Sequence, residues 1–246
     1  MTSPHPATQK AELRRMLRTD RVLTTAQLER RGLGAAAAWL DLPRIRLTCR
    51  TRVTQSDSAT DLTFVALEPA WLKQPPRELM HWAGLAEVRP RLEASWARRS
   101  PRRMIHLDPA GRQRSHLPDA EALDPEGGDD YAVEFDAGYA PTRIAKKMEA
   151  AAAAGYRVLY WATSIHARTT TVAALARDLH GRGRLEGMSG VIVTFTDFWS
   201  PHDPYSDRPR CHKATHARVA FTGEAGRPDA RGHTGIVARS AGARRR

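Results

Sequence analysis

The sequence predicts a mixed α/β protein, α+β overall, built from two unlike parts, and three observations carry that expectation. Helical apolar spacing dominates the segment before Pro43. A period-two hairpin pattern follows it. From Tyr131 onward, strand patterns alternate with helical ones, the mark of a mixed sheet with crossover helices. The chain has 246 residues and is 41% apolar, enough for one large unit or two small ones, while a mean hydropathy of -0.53 leaves much polar surface.

The first part, 1–70, reads as three helices and a hairpin. Ala11 to Arg18 places Leu13, Met16 and Leu17 on one stripe with arginines opposite. Thr24-Thr25 caps a second short helix whose Ala26 and Leu28 face inward, and Gly32 stops it. A third helix begins near Leu33 and ends at Pro43. Ile45 to Val53 and Leu62 to Leu67 alternate as two strands joined by the polar loop Gln55-Ser56-Asp57-Ser58. This order, with Leu23-Thr24-Thr25-Ala26-Gln27-Leu28 opening the second helix, resembles a winged helix-turn-helix, in which the third helix enters the major groove and the hairpin touches the backbone. Here that helix carries Ala35-Ala36-Ala37-Ala38, which has nothing to hydrogen-bond a base edge. Duplex contacts are therefore expected from Arg30, Arg31, Arg44, Arg46, Arg50 and Arg52, to phosphates. Two alternatives stand beside this: a small α+β core with no DNA role, and a close-packed dimer face on the alanines.

Residues 71–100 read as a linking helix. Glu78 to Leu92 sets Leu79, Trp82, Leu85, Val88 and Leu92 on one stripe, fit to bridge two units or to pair two copies, with His81 read as a packed core histidine rather than a ligand. A second unit, 101–200, opens with a strand around Met104-Ile105-His106-Leu107. Tyr131 to Asp136 is a strand, and Pro141 suits the first position of a helix reaching Ala154. Arg157 to Ala162 is a buried strand, Thr169 to Gly181 a helix, and Gly190 to Phe195 the last strand. Residues 201–246, rich in Pro, Gly, Arg and His, read as a basic tail on phosphates.

Charge narrows the partners. A formal +12 favours a polyanion, with arginines clustered at 14–21, at 98–103 and at the C-terminus; Arg102, Arg103 and Arg168 join the expected DNA contacts. A GC-rich genome enriches Arg and Ala without functional meaning, and composition alone does not separate the two causes. No apolar run approaches the roughly 18 residues of a membrane span. The N-terminus lacks the order of a secretory signal. Two distant cysteines make no disulfide framework, which points to a reducing cytoplasm. Cys211-His212 with His216 offers a single thiolate, a poor zinc set. His202-Asp203 with Asp207 reads as a loop before it reads as a metal site.

The chemistry-bearing residues are Asp119, Glu134 and Lys147. Asp119 enters one strand, Glu134 sits late in the next, and Lys147 lies at the margin of the helix face formed by Ile144, Met148 and Ala151. Two converging carboxylates suit a hard cation such as Mg²⁺ or Mn²⁺, with room for water and phosphate. A neighbouring lysine stabilises charge on a phosphoryl oxygen or assists the attacking water. Lys146 is the second choice for that lysine. Asp136, which shares the face of Glu134, either extends the metal shell or caps the turn. Taken singly, Pro118-Asp119 is also a common turn, and Glu134-x-Asp136 a common strand end.

Together these residues resemble the PD-(D/E)xK nuclease fold and, more narrowly, the plasmid replication-relaxation family. The residues that carry the likeness are His81-Trp82-Ala83-Gly84-Leu85-Ala86-Glu87-Val88, Pro118-Asp119-Ala120, Val133-Glu134-Phe135-Asp136-Ala137-Gly138, Arg143-Ile144-Ala145-Lys146-Lys147, and Val158 to Ser164 with Arg168. The likeness spans roughly residues 10 to 200 and implies winged-helix segments joined to a nuclease-like sheet, acting on plasmid DNA. Its pattern places lysine two after the glutamate, where this chain has Asp136; Lys147 fills the slot from the following helix. Three functions follow as expectations: a DNA-binding protein of plasmid or mobile-element type, a Mg²⁺- or Mn²⁺-dependent endonuclease using Asp119, Glu134 and Lys147, or an interaction protein that oligomerises through the 79–92 stripe.

Overall fold

A computed structural model describes residues 4–50, 59–93, 103–107, 117–200 and 216–221. Arg52, Arg98, Arg99, Arg102, the 55–58 loop, Cys211 with His212, the 202–207 cluster and the C-terminal arginines lie outside the described residues. Among the described residues there are six α-helices and two sheets, a mixed α/β arrangement.

The first part contains α1 (Pro6–Asp20), β1 (Val22–Thr24), α2 (Thr25–Arg30), α3 (Gly34–Trp39), β2 (Arg44–Arg50) and β3 (Ala59–Ala66). Its sheet is antiparallel with order β1-β3-β2. The expected cap of α2 forms as a full capping box. Thr24 Oγ1 accepts from the Gln27 amide at 3.2 Å, and Gln27 Oε1 accepts from the Thr24 amide at 2.9 Å. Gly32 ends the run at φ +66°, a conformation only glycine adopts freely. Ala36 and Ala37 are buried with Leu13, Leu17, Leu28 and Leu33, so two of the four alanines serve this chain's own core.

A 3-10 turn at Trp71–Lys73 leads into α4 (Pro76–Glu93). The second sheet runs β4 (Arg103–His106), β5 (Ala120–Leu123), β6 (Tyr131–Asp136), β7 (Val158–Thr163), β8 (Gly190–Phe195) and β9 (His216–Ala220), in that spatial order. The β6-β7-β8 pairs are parallel and the others antiparallel. α5 (Pro141–Ala153) and α6 (Arg168–Gly181) make the two crossovers, and they cover one face through Ile144, Met148, Val172 and Leu179 against Leu159, Trp161 and Val191. β9 corrects the expectation that β8 is the last strand: residues 216–220 of the expected tail pair along β8.

α4 covers the other face, and its stripe is consumed there. Leu79, Ala83, Leu85, Val88 and Leu92 join one core with Phe64 and Leu72 on one side and with Val133, Phe135, Tyr160 and Ile192 on the other. At Gly84 a Cβ would lie 2.1 Å from the Phe135 ring, so the helix touches the sheet backbone-close. Of its two expected roles the stripe takes the bridging one: it is interior to the chain rather than a face for pairing two copies.

Two of the arginines expected on phosphates explain how the parts are joined. Pro90 inside α4 cannot donate to the Ala86 carbonyl four residues back; Arg31 Nη2 does so at 3.2 Å. Arg30 donates to the carbonyls of Ser200 (3.0 Å) and Asp197 (2.8 Å), and both guanidiniums meet Glu87 at 3.0 and 3.2 Å. Gln27 Nε2 donates to Ala83 O and Glu87, and Thr24 Oγ1 to Phe198 O. Arg30 and Arg31 are thus internal bolts rather than DNA contacts. Arg44, Arg46 and Arg50 do point outward along β2, with Arg46 on Asp61 at 2.9 Å, and Arg103 is exposed on β4.

Candidate functional site

The antiparallel β5–β6 pair sets Ala120 against Val133, which brings the residue entering β5 beside the end of β6. Asp119 is fixed there: its Oδ2 accepts from the Phe135 amide at 2.8 Å. Glu134 is 2% exposed and faces the α5 side of the sheet. Two turns into α5, Lys147 is buried and bridges them, Nζ lying 2.5 Å from Glu134 Oε2 and 3.2 Å from Asp119 Oδ1. The three residues singled out from their order meet at one point. Lys146 is exposed, so the second choice for the lysine falls away.

Asp136 takes the turn-capping of its two expected roles, and Arg168 departs from the expected DNA contact. Asp136 is wholly buried, and its Oδ1 accepts from the amides of Gly138 (2.6 Å) and Tyr139 (2.5 Å). Its Oδ2 takes Arg168 Nη1 at 2.7 Å, and the same nitrogen donates to Tyr139 O at 2.6 Å. Both oxygens are committed to turning β6 into α5. Asp136 therefore caps the turn and does not extend a metal shell, and Arg168 locks that cap rather than reaching for DNA.

His81, read from sequence as a core histidine, belongs to the site. Its Nε2 is 3.4 Å from Asp119 Oδ1, with the side chain 16% exposed, and its ring meets Phe135 edge-on. No local signal reveals this, because the pairing depends on how α4 crosses the sheet.

The electrostatics follow from burial and crowding. Burial pushes Asp119 up, but His81 and then Lys147 more than offset it and hold its carboxyl far below the usual range. For Glu134 burial and the charge of Asp119 act together and outweigh Lys147, raising it well above 4.5. Burial lowers Lys147 and His81, yet the neighbouring carboxylates prevail and both are raised. The short Lys147–Glu134 contact alone suggests a full ion pair. The direction for Glu134 is nevertheless upward, because two buried carboxylates beside one ammonium cannot both ionise cheaply. Burial and Asp119 thus push Glu134 toward its protonated form, while His81 and Lys147 hold Asp119 toward its anionic form.

The site opens onto a cleft of about 430 Å³. Arg77, His81, Trp82 and Leu85 of α4, Tyr139 and Arg143 beside Lys147, and Asp20 and His106 all line it. Arg89 clamps Asp20 through Nε at 2.8 Å and Nη2 at 2.6 Å, and His106 approaches Asp20 at 3.4 Å.

Among the described residues no three His, Cys, Asp or Glu side chains are grouped as a preformed metal site. The donor chemistry still fits a hard cation in part: carboxylate oxygens of Asp119 and Glu134 both aim at the Lys147 ammonium, so a displaced ammonium leaves two oxygen ligands converging. No helix is long and apolar enough to cross a membrane, among the described residues. Comparisons with family models, curated proteins and solved structures return no match.

Proposed function

We propose that the chain binds DNA and hydrolyses its phosphodiester bonds with a divalent metal ion held by Asp119 and Glu134. The observation that carries this reading is the convergence of Asp119, Glu134 and Lys147 at the edge of an open cleft. Mg²⁺ or Mn²⁺ bound there supplies a Lewis acid and a more acidic water. Asp119 and Glu134 would hold the ion, with Glu134 ionised in that state, and Lys147, freed from the pair, would be the group placed to neutralise charge on a phosphoryl oxygen. The helix-helix-helix-hairpin order of the first part, the outward Arg44, Arg46 and Arg50, and the net +12 support a duplex-holding role. The likeness to the replication-relaxation family supports the same reading.

Supercoiled plasmid incubated with the protein and Mn²⁺ tests it: nicking is expected in the wild type and absent in Glu134→Ala. Nicking that survives that substitution removes this site from the reaction. Affinity for DNA is expected to fall steeply between low and moderate salt. An affinity unmoved by salt contradicts the duplex-holding role.

One observation favours a second reading, a DNA-binding protein of plasmid type that cleaves nothing. The Lys147 ammonium already bridges both carboxyl groups, occupying the point between them where an ion would sit. Salt-sensitive DNA binding with no nicking in either Mg²⁺ or Mn²⁺ selects it.

A further inference from the structure

We infer that the cleft is a binding site for one phosphate-bearing nucleotide of an unpaired strand, with Arg77 and Arg143 as its phosphate clamp. The inference rests on the nucleic-acid reading above and specifies which form of the strand the site takes.

Arg77 stands in the first turn of α4 and Arg143 in the first turn of α5. A helix N-terminus carries positive partial charge, so an arginine there works against the dipole unless an anion is to be held. α5 has no acid in its first turn and no side-chain cap. The two guanidiniums, from different helices, pack on one ring: Arg143 lies 4.3 Å and Arg77 5.3 Å from the Tyr139 centroid, with Lys147 Nζ at 5.8 Å. Both arginines are exposed, and among the described residues neither pairs with a carboxylate. Two unpaired forks fixed by an aromatic face beside the metal-site lysine suit a phosphate bound bidentately.

Another part of the lining has the complementary character. Trp82 lines the cleft, set edge-on to Trp71 at 5.4 Å with the Arg21 guanidinium 5.5 Å from its centroid, and Leu85, Leu107 and Pro118 also line it. An aromatic wall accepts any base, because every base presents a π-face. A volume of about 430 Å³ suits a small ligand. A B-form duplex, whose major groove alone is about 12 Å wide, is too broad for it. A single nucleotide, at a strand end or extruded from the stack, is the unit that matches both parts of the lining.

The test uses calorimetric titration of the full chain with thymidine 5′-monophosphate, inorganic phosphate and thymidine. The nucleotide is expected to bind, phosphate to bind more weakly and thymidine not to bind. Arg77→Ala and Arg143→Ala are each expected to weaken the nucleotide about tenfold. Trp82→Leu is expected to weaken the nucleotide and leave phosphate unchanged, and the surface variant Arg182→Ala to match the wild type. Phosphate binding as tightly as the nucleotide, or arginine variants binding like the wild type, overturns the inference. In Mn²⁺, duplexes with unpaired ends are expected to be cut faster than flush-ended ones. Undiminished nicking by the Arg77→Ala/Arg143→Ala double variant overturns the clamp and leaves the metal site standing. Arginine-dependent nucleotide binding by a protein that cuts nothing removes the hydrolase reading and leaves the clamp.

Discussion

Two buried acid clusters border the same cleft, and they are built on opposite principles. At Asp20 the cation is a guanidinium whose planar fork meets both carboxylate oxygens, at 2.8 and 2.6 Å, and continues to Glu93 at 2.7 Å. Burial pushes Asp20 up, but Arg89 and His106 outweigh it and hold it low, while the same contacts raise Arg89. At Asp119 the cation beside it on α5 is an ammonium shared between two carboxyl groups, with His81 at 3.4 Å as the second partner, and burial and Asp119 push Glu134 up. A guanidinium fork fixes geometry and never gives up its charge, whereas an ammonium is a movable point charge. The Asp20 cluster is fully matched and reads as structure. The Asp119 cluster has the same inventory, but its two carboxyl groups share one movable ammonium, and a divalent cation would replace that ammonium between them.

The largest effect that breaks this comparison is at Arg89. Arg89→Ala leaves Asp20 buried without its main partner, and a loss of about 3–5 kcal/mol is expected in urea unfolding. A loss below about 1 kcal/mol would mean that the Asp20 cluster is as replaceable as the other. Next comes the chemistry. Lys147→Met is expected to lower the plasmid nicking rate about 10²–10³-fold, the scale for removing one group that stabilises developing charge. The same variant is expected to bind Mn²⁺ more tightly, by about tenfold, since the ammonium no longer competes for the two carboxylates. Weaker Mn²⁺ binding would show that Lys147 supports the metal instead of being displaced by it.

A smaller effect separates the clusters by pH. Glu134 has a raised value in the folded chain, so the folded state binds more protons than the unfolded one above about pH 4.5, and stability falls as pH rises through that window. Asp20 and Asp119 are lowered, so their contributions are complete above about pH 4 and fade in acid. Glu134→Gln is therefore expected to gain on the wild type as pH increases from 5 to 8, by at most about 1.4 kcal/mol per pH unit. A stability difference that stays flat across that range would contradict the raised value of Glu134.

How much of this was legible in the sequence depended on how local each determinant is. β6, α5, α6 and β8 follow from apolar periodicity and from Pro141, and the structure places them within a residue or so of the expected bounds. β1 has three residues, and β9 is an edge strand with one buried position, so neither carries a periodic signal; each exists because a neighbouring strand is there to pair with. The meeting of Asp119, Glu134 and Lys147 was legible because it needs only a strand pair followed by a helix. The two readings of Asp136 stay open in sequence because an Asx turn and a metal ligand look alike there, and Arg168 meets Asp136 only through the β6–α5 turn. Arg30 and Arg31 were misread for a different reason. Their partners are carbonyls and a carboxylate more than fifty residues away, on α4 and after β8. His81 was missed because only the path of α4 over the sheet brings it to Asp119.

The most direct measurement is a calorimetric titration of Mn²⁺ into the protein, repeated in buffers of different ionisation enthalpy. One ion per chain is expected to bind with release of a proton from the Glu134 side, and both the binding and the proton release are expected to vanish in Glu134→Gln. Mn²⁺ binding that is unaltered by that substitution, or no binding even with DNA present, would contradict the account.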